Sequence, residues 1–179
     1  MAALLHSERF WRERFTRKAQ EEMPQLLAHS AVVSLRCEQL AAQQGLSDEE
    51  ISLAAVAGLW HDAGKLPSLA RSGFHPLDGA WAVRHLGEER LAGLIACHSG
   101  AEHEAELARI PLVPFEREHS LVADILDWCD LTTGPDGRIL SYEERMADIE
   151  ARYGRDSAQM RAQLAFAPQV AEIRARLDV

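Results

Sequence analysis

Apolar residues recur along most of this chain at intervals of three and four positions, the spacing of helices that bury one face. Within residues 26–42 the apolar positions are Leu26, Leu27, Val32, Val33, Leu35, Cys37 and Leu40. This spacing predicts a helix that contains His29. Residues 51–60, ISLAAVAGLW, are almost wholly apolar and predict a buried central helix. A capping-box pair, Ser47 and Glu50, precedes this second helix.

The central helix is expected to stop near Gly64, so that the dipeptide His61-Asp62 closes it. The sequence also predicts a helix over 8–22, a helix that begins at His75-Pro76 and stops at Gly87, an apolar helix that ends at His98, and a helix over 120–130. A turn, TTGPDG, follows at 132–137, and two more helices are predicted over 142–153 and 157–177. A second capping box, Ser141 and Glu144, opens the helix over 142–153. No stretch has the alternation typical of strands, so the predicted fold class is all-α, a helical bundle.

One domain is expected over residues 1–179, because no repeat, low-complexity tract or linker divides the chain. Phe10, Trp11 and Phe15 are expected to hold the helix over 8–22 against the body. That helix and the C-terminal helices over 142–177 would pack on a core formed by 26–133. Apolar residues make up 47% of the chain and charged residues 26%, which is the balance of a globular protein.

The net charge of −9 argues against duplex nucleic acid as a partner, because the chain would repel a phosphate backbone. A small phosphorylated substrate stays compatible with this charge, since bound cations can reverse the field inside one pocket. Three cysteines without paired spacing predict neither a disulfide framework nor a zinc ribbon. The first fifteen residues contain only a short apolar run, so a cytoplasmic location without membrane contact is expected.

The dipeptide His61-Asp62 ends an apolar helix, where two ionisable groups are costly to bury unless something compensates them. A bound cation would compensate both, and imidazole with carboxylate suits zinc, iron, manganese or cobalt. Taken alone, such a pair is more often a helix end satisfied by neighbouring backbone than a metal site. The recurrence of similar residues at apolar helices makes a metal site the stronger interpretation. The full set is His29, His61, Asp62, His75, His98 and an aspartate near residue 130.

In order along the chain, His29, the segment GLWHDAGK at 58–65, His75, His98 and Asp130 resemble the H…HD…H…H…D pattern of the HD-domain metal-dependent phosphohydrolase superfamily. The resemblance spans roughly residues 26–133. The segments HPLDGAWAVRHLG and CHSGA are most similar to the bacterial branch that contains symmetric dinucleoside tetraphosphate hydrolases. This resemblance implies an HD-domain helical bundle with a dinuclear metal centre.

The resemblance implies that one ion is bound by His29, His61, Asp62 and Asp130, and a second by Asp62, His75 and His98. Asp62 would bridge the two ions, which would acidify a water molecule and aim it at phosphorus. Lys65, one turn after Asp62, would hold a phosphate oxygen. Its spacing alone fits a solvated lysine at a helix end equally well, and the HDxGK motif of the family favours the catalytic role.

The last ligand is the least determined of the set, because Asp124, Asp127 and Asp130 lie on roughly one helical face. Asp130 is preferred because CDLTTGPDG resembles the closing segment of the family, and Asp127 stays an alternative. The remaining candidates are not expected to bind metal. Asp78 is interpreted as a favourable first-turn acid, Glu102 and His103 as residues at the pocket mouth, and His6, His85 and His119 as surface residues. Cys97 and Cys129 are interpreted as small buried hydrophobic residues, and TTGPDGR as a turn rather than a phosphate-binding loop.

The expected function is metal-dependent hydrolysis of a phosphoester or phosphoanhydride in a small nucleotide, such as a dinucleoside polyphosphate. Two alternatives of other classes stay open: a mixed-valent diiron HD-domain oxygenase, and a module that senses a nucleotide without turnover. The two divalent ions could be iron, manganese, cobalt or zinc, since these ligands suit all four. No heptad run decides between a monomer and a homodimer.

Overall fold

The computed structural model describes residues 4–179, and helices dominate them. The helices are α1 (Glu8–Glu22), α2 (Pro24–Gln43), α3 (Asp48–Trp60), α4 (His75–Arg84), α5 (Glu89–Ala96), α6 (Ala101–Ala108), α7 (Leu121–Leu131), α8 (Tyr142–Tyr153) and α9 (Ala158–Leu177), with short 3₁₀ turns at Ala63–Lys65 and His98–Gly100. No β-strand occurs among the described residues, so the predicted all-α fold class is confirmed.

Helix α3 lies at the centre of the core, and its side chains from Leu53 to Trp60 are buried on every side. It packs against α1, α2, α5 and α7. Gly58 permits a close crossing with α2, because a Cβ atom there would lie 3.0 Å from the Cα of Ser34. This close crossing brings the middle of α2 beside the C-terminal end of α3, where His61 follows.

The N-terminal helix packs through aromatic side chains, as its sequence predicts. Trp11 and Phe15 are fully buried. The rings of Trp11 and Trp60 meet edge to face with centroids 5.0 Å apart, and the Trp60 indole donates to the Trp11 carbonyl at 3.1 Å. At the other end of the chain, α9 packs on α6 and α7 through buried Phe166 and Ile173. Both flanking segments therefore contact the central helices.

The structure differs from the sequence expectations in three details. Helix α6 was not predicted, because AEHEAELA is short and charged and buries little more than Ala101 and Ala105. Leu35, counted in the apolar pattern of α2, is 52% exposed. Only the second capping box is complete: Ser47 accepts the Glu50 amide but lacks the reciprocal bond, whereas Ser141 and Glu144 make both. None of the described helices is long and apolar enough to cross a membrane.

Candidate metal centre

The structure brings the six predicted ligand residues together from five separate elements. His29 lies within α2, His61 and Asp62 follow α3, His75 begins α4, His98 follows α5, and Asp130 lies in the last turn of α7. Five of them line one cavity of about 270 Å³, and His61 is fully buried beside them. The cavity is therefore built where helix ends converge.

One compact group of donors consists of His29, His61 and Asp130. The Asp130 Oδ1 lies 3.2 Å from the Nε2 of His29 and 3.4 Å from the Nε2 of His61, and the two Nε2 atoms are 3.2 Å apart. Donor atoms bound about 2.1 Å from one transition-metal ion are separated by about 3.0–3.4 Å, because those are the edges of octahedral and tetrahedral shells. The spacing of this group therefore fits a metal ion.

The carboxylate of Asp62 faces two sets of histidines with its two oxygens. Its Oδ2 lies 3.5 Å from the Nε2 of His61 and 3.9 Å from that of His29. Its Oδ1 lies 3.0 Å from the Nε2 of His75 and 3.9 Å from that of His98. Such an orientation is what a bridging carboxylate requires.

The second compact group differs slightly from the set that the family pattern implies. It contains His61, Asp62 and His98, all buried. His75 stands at its edge, in contact with Asp62, and its side chain is 29% exposed toward the cavity. The rings of His75 and His98 are nevertheless adjacent, with centroids 5.6 Å apart. The His75 Nε2 lies 3.0 Å from the Asp62 oxygen that also faces His98.

Backbone carbonyls orient three of the four imidazoles. The Nδ1 atoms of His29, His61 and His98 lie 2.9, 2.8 and 2.6 Å from the carbonyl oxygens of Gly134, Gly58 and Ile95, respectively. A carbonyl only accepts hydrogen bonds, so each Nδ1 carries the proton and donates. In the neutral ring the Nε2 lone pair is then free and directed at the cluster, which is the arrangement of metal-binding histidines.

Charges in the cluster favour the protonation states that bind cations. Burial opposes ionisation of Asp62, but the charges of Lys65 and His61 outweigh it and hold the pKa of Asp62 well below its usual range. Asp130 has its pKa lowered in the same way, against burial, by His61 and His29. Burial, with the charge of His61, lowers the pKa of His98 to about 3. Both carboxylates are thus ionised and His98 is neutral near pH 7.

Against desolvation, the charges of Asp62 and Asp130 raise the pKa of His61. They are the two carboxylates closest to its Nε2, at 3.5 and 3.4 Å. A cation bound between these groups would take over the role of the ring proton, so metal binding and protonation of His61 exclude one another.

Lys65 lies beside the cluster, where its predicted role requires it. Its ammonium donates to the Oδ2 of Asp62 at 2.6 Å, and its side chain is 43% exposed and lines the cavity. Although desolvation acts in the opposite direction, the charge of Asp62 raises the pKa of Lys65. The lysine is therefore a fixed positive charge between the proposed ligands and the open part of the cavity.

The three aspartates of α7 have different partners. Asp124 pairs with Arg176 at 2.7 Å, and Asp127 pairs with Arg117 at 2.7 Å. Asp130 is the one of the three that contacts His29 and His61. The geometry therefore supports Asp130 as a ligand and gives Asp127 an ion pair instead.

Two supporting residues were missed by the sequence reasoning. The hydroxyl of Ser99 donates to the Oδ2 of Asp130, and the guanidinium of Arg36 donates to the carbonyls of Cys129 and Thr132 at 3.0 and 2.8 Å. Arg36 thereby fixes the end of α7 and the turn that follows. The only sequence signal for Ser99 was its place before a glycine in CHSGA, and a lone arginine on a helix gives no signal.

The turn after α7 has a structural role, because it is closed by its own backbone and holds the His29 ring. Its Gly134 amide donates to the Arg138 carbonyl at 2.7 Å, and its Gly134 carbonyl accepts from His29. The interpretation of TTGPDGR as a turn is thus supported over a phosphate cradle. The buried thiols of Cys97 and Cys129 agree with small hydrophobic residues, and burial raises the pKa of Cys97 to about 12.

Other expectations need correction. Asp78 does more than interact favourably with the helix dipole. Its carboxylate is buried and accepts hydrogen bonds from the backbone amides of Arg71 and Ser72, at 2.8 and 2.9 Å, so it orders the loop before His75.

Glu102 and His103 were expected at the cavity mouth. Glu102 instead pairs with Arg117 and His103 contacts Gln169, because the start of α6 turns both toward α9 and the loop before α7. Glu104 lines the cavity in their place. Of the expected surface histidines, His85 and His119 are exposed, whereas His6 is half-buried against the Leu86 carbonyl.

A family model for the HD domain matches residues 26–134, well over half of the chain, and the chain therefore belongs to the HD-domain family. Proteins of this family are generally metal-dependent hydrolases. The matched segment begins in α2 and ends just after α7, so it includes all six residues of the cluster. A search of solved structures gave no match.

Proposed function

We propose that this protein is a phosphohydrolase that cleaves a phosphoester or phosphoanhydride of a small nucleotide at a dinuclear metal centre. One observation carries the proposal: the two oxygens of Asp62 face separate sets of imidazole nitrogens, Oδ2 toward His61 and His29 and Oδ1 toward His75 and His98. A carboxylate in that position suits a pair of ions better than a single one.

In this proposal His29, His61, Asp62 and Asp130 hold one ion, and Asp62, His75 and His98 hold the other. Imidazole and carboxylate donors suit iron, manganese, cobalt or zinc. When bound, such a pair supplies an acidified water and neutralises the negative charge that develops on the phosphate. The protein contributes fixed donors, and the carbonyls of Gly58, Ile95 and Gly134 hold three of the rings in place.

Lys65 is proposed to hold a non-bridging phosphate oxygen during the reaction. Its ammonium reaches the Oδ2 of Asp62 and borders the cavity, so an oxygen placed over the cluster lies within its range. A positive charge there stabilises the extra negative charge of the transition state more than that of the substrate. Lys65 and Asp62 are accordingly the two residues to which we assign catalytic roles.

A nucleotide is proposed as the substrate on two grounds. The cavity volume of about 270 Å³ is just below the usual range of small-ligand pockets, and three cationic side chains line it, those of Lys65, Arg145 and Arg152. The resemblance of HPLDGAWAVRHLG and CHSGA to symmetric dinucleoside tetraphosphate hydrolases favours a dinucleoside polyphosphate. Because the whole chain carries a net charge of −9, duplex nucleic acid stays an unfavourable partner.

We also propose that residues 1–179 form a single domain located in the cytoplasm, with no membrane contact. The cavity supports the first point, because α8 and α9 line it although they lie outside the matched segment. Either a monomer or a homodimer is compatible with this proposal.

The test is hydrolysis by full-length protein loaded separately with Fe²⁺, Mn²⁺, Co²⁺ and Zn²⁺. A panel of dinucleoside polyphosphates, nucleotides and simple phosphoesters is assayed for released phosphate or nucleotide, with D62N as the inactive control. Turnover of at least one phosphorylated compound is expected. Oxygen uptake by the iron form without phosphate release would support an oxygenase instead. Calorimetric binding of a nucleotide without any product over hours would support a sensing module.

A further inference from the structure

One wall of the cavity comes from α8, which lies beyond the matched HD-domain segment. Arg145, Ile149 and Arg152 line the cavity from this helix, and they follow one another at spacings of four and three residues. Those spacings place the three side chains on one helical face. The face therefore presents two guanidinium groups, with an apolar side chain between them, to the same space as the proposed metal ligands.

The two arginines share one counter-ion. The Nη1 of Arg145 lies 2.9 Å from the Oδ2 of Asp148, and the Nη2 of Arg152 lies 2.6 Å from the same oxygen. One carboxylate neutralises only one of the two guanidinium charges. The α8 wall thus keeps an excess of positive charge directed at the cavity. Glu104 lines the cavity from α6, and its carboxylate accepts a hydrogen bond from the neutral Gln159 amide at 3.0 Å and keeps its negative charge.

Arg145 also has hydrogen-bonding capacity to spare. Its side chain is only 13% exposed, and its Nε is buried without a hydrogen-bond partner among the described residues. An unpaired buried donor is costly, and an acceptor supplied by a bound water molecule or ion is one way to satisfy it. Arg152 is held differently, since its guanidinium stacks 5.2 Å from the ring centroid of Tyr153 at the cavity rim. A planar guanidinium positioned in this way suits phosphate oxygens.

We propose that Arg145 and Arg152 form a second anion subsite, which binds the part of the phosphate chain that is not cleaved. This proposal rests on the proposed function and narrows it: the substrate is a nucleoside polyphosphate with at least one phosphate beyond the one under attack. The proposed metal centre and Lys65 would hold the attacked phosphate, and α8 would hold its neighbour. Asp148 releases one of its arginines, in part or fully, when the phosphate binds.

The experiment measures binding rather than turnover. Full-length Mn²⁺-loaded protein is titrated by calorimetry with α,β-methylene-ADP, in which carbon replaces the bridging oxygen, and with the phosphonate analogue of AMP, which lacks the second phosphorus. The wild type is expected to bind the diphosphate analogue about tenfold more tightly or better, since a charge-assisted hydrogen bond contributes about 1.5–3 kcal/mol. R145Q and R152Q should each remove most of that preference and leave binding of the monophosphonate nearly unchanged.

Two further variants separate this subsite from a structural effect. R155Q removes the same charge from an exposed arginine just after α8 and should leave both affinities as in the wild type. D148N removes the shared counter-ion while both arginines stay, so it should keep or strengthen the preference for the diphosphate. Elemental analysis of each variant confirms that the manganese content is unchanged.

Failure of the subsite and failure of the proposed function give different results. If the wild type shows no preference for the diphosphate analogue, or if R145Q and R152Q weaken both analogues equally, the subsite is wrong even when nucleotides are hydrolysed. If the preference exists and depends on both arginines while no phosphorylated compound is turned over, the subsite stands and the hydrolase proposal fails.

Discussion

The hydroxyl of Ser99 donates to the Oδ2 of Asp130 at 2.6 Å, while the Oδ1 of the same carboxylate faces His29 and His61. The backbone of Ser99 is in the left-handed region, with φ of 50°, and its amide donates to Asp127. One serine thus connects the segment that carries His98 to the last helix turn that carries Asp130. It orients a proposed ligand by occupying the oxygen that faces away from the histidines.

Substitution S99A is expected to lower Mn²⁺ affinity by about 10-fold or more, the range typical of residues that orient metal ligands. The fold should survive, because the backbone N–H of residue 99 still donates its hydrogen bond to Asp127 in the alanine variant. Affinity is measured by calorimetric titration of the metal-free protein. The matched control is S34A, since Ser34 is also buried and donates to the Ala55 carbonyl away from the centre. Equal metal affinities of S99A and S34A would contradict the orienting role.

Two of the helical glycines, Gly58 in α3 and Gly93 in α5, should respond in opposite directions to alanine. A Cβ atom at Gly58 would meet the Ser34 Cα at 3.0 Å, so G58A forces α2 and α3 apart. A Cβ atom at Gly93 would approach nothing closer than the Glu116 carbonyl oxygen at 3.7 Å. We expect G58A to lower the free energy of unfolding by about 1–3 kcal/mol. G93A should raise it by about 0.5–1 kcal/mol through better helix propensity.

Urea unfolding of the metal-free protein measures both changes. Because the Gly58 carbonyl also accepts from the Nδ1 of His61, G58A should weaken metal binding as well, whereas G93A should not. A stability gain in G58A would show that α2 and α3 do not cross as closely as described.

Loss of Arg117 should leave the buried carboxylate of Asp127 without its ion-pair partner. Burial already raises the pKa of Asp127 to about 6, despite the opposing charge of Arg117. R117M is expected to cost about 3 kcal/mol or more near neutral pH, the usual result of breaking a buried pair.

The cost of R117M should depend on pH in a defined direction. With Arg117 gone, the pKa of Asp127 in the folded state rises further above its unfolded value, so the protonated form stabilises the fold at low pH. That stability is lost as the pH rises through the folded pKa. The deficit relative to the wild type should therefore be smaller at about pH 5 than at about pH 8 in urea unfolding. The double variant R117M/D127N is the control, and its deficit should not change with pH. A stability deficit of R117M that became larger as the pH was lowered would contradict this account.

The helical bundle was predictable from sequence because apolar spacing, capping pairs and helix stops agreed along the chain. Helices over 8–22 and 142–153 have the predicted bounds, since a serine caps the N-terminus of each, Pro24 follows the first and Gly154 ends the second. Helix α6 was missed because its eight residues carry few apolar side chains and are positioned by the turn at Ser99 and Gly100. Such tertiary control leaves no periodic pattern to detect.

The proposed ligands were found in the sequence because His and Asp stand out within apolar helices or at their ends. The residues that orient them could not be found in this way. Ser99, Arg36 and the carbonyl of Gly134 act through contacts between segments that are far apart in the chain. The sequence offered equally little indication that the arginines of α8 line the cavity, because a charged residue on an amphipathic helix is ordinarily solvated.

Six imidazole and carboxylate groups are proposed to hold two cations that share Asp62. The most direct test is a stoichiometric Mn²⁺ titration of metal-free protein, followed by electron paramagnetic resonance of the saturated sample. We predict two equivalents per chain in the wild type and the spectrum of an exchange-coupled pair, with H75A reduced to about one equivalent and an uncoupled spectrum. A wild type that saturates with one ion, or binds two without magnetic coupling, would contradict the shared carboxylate.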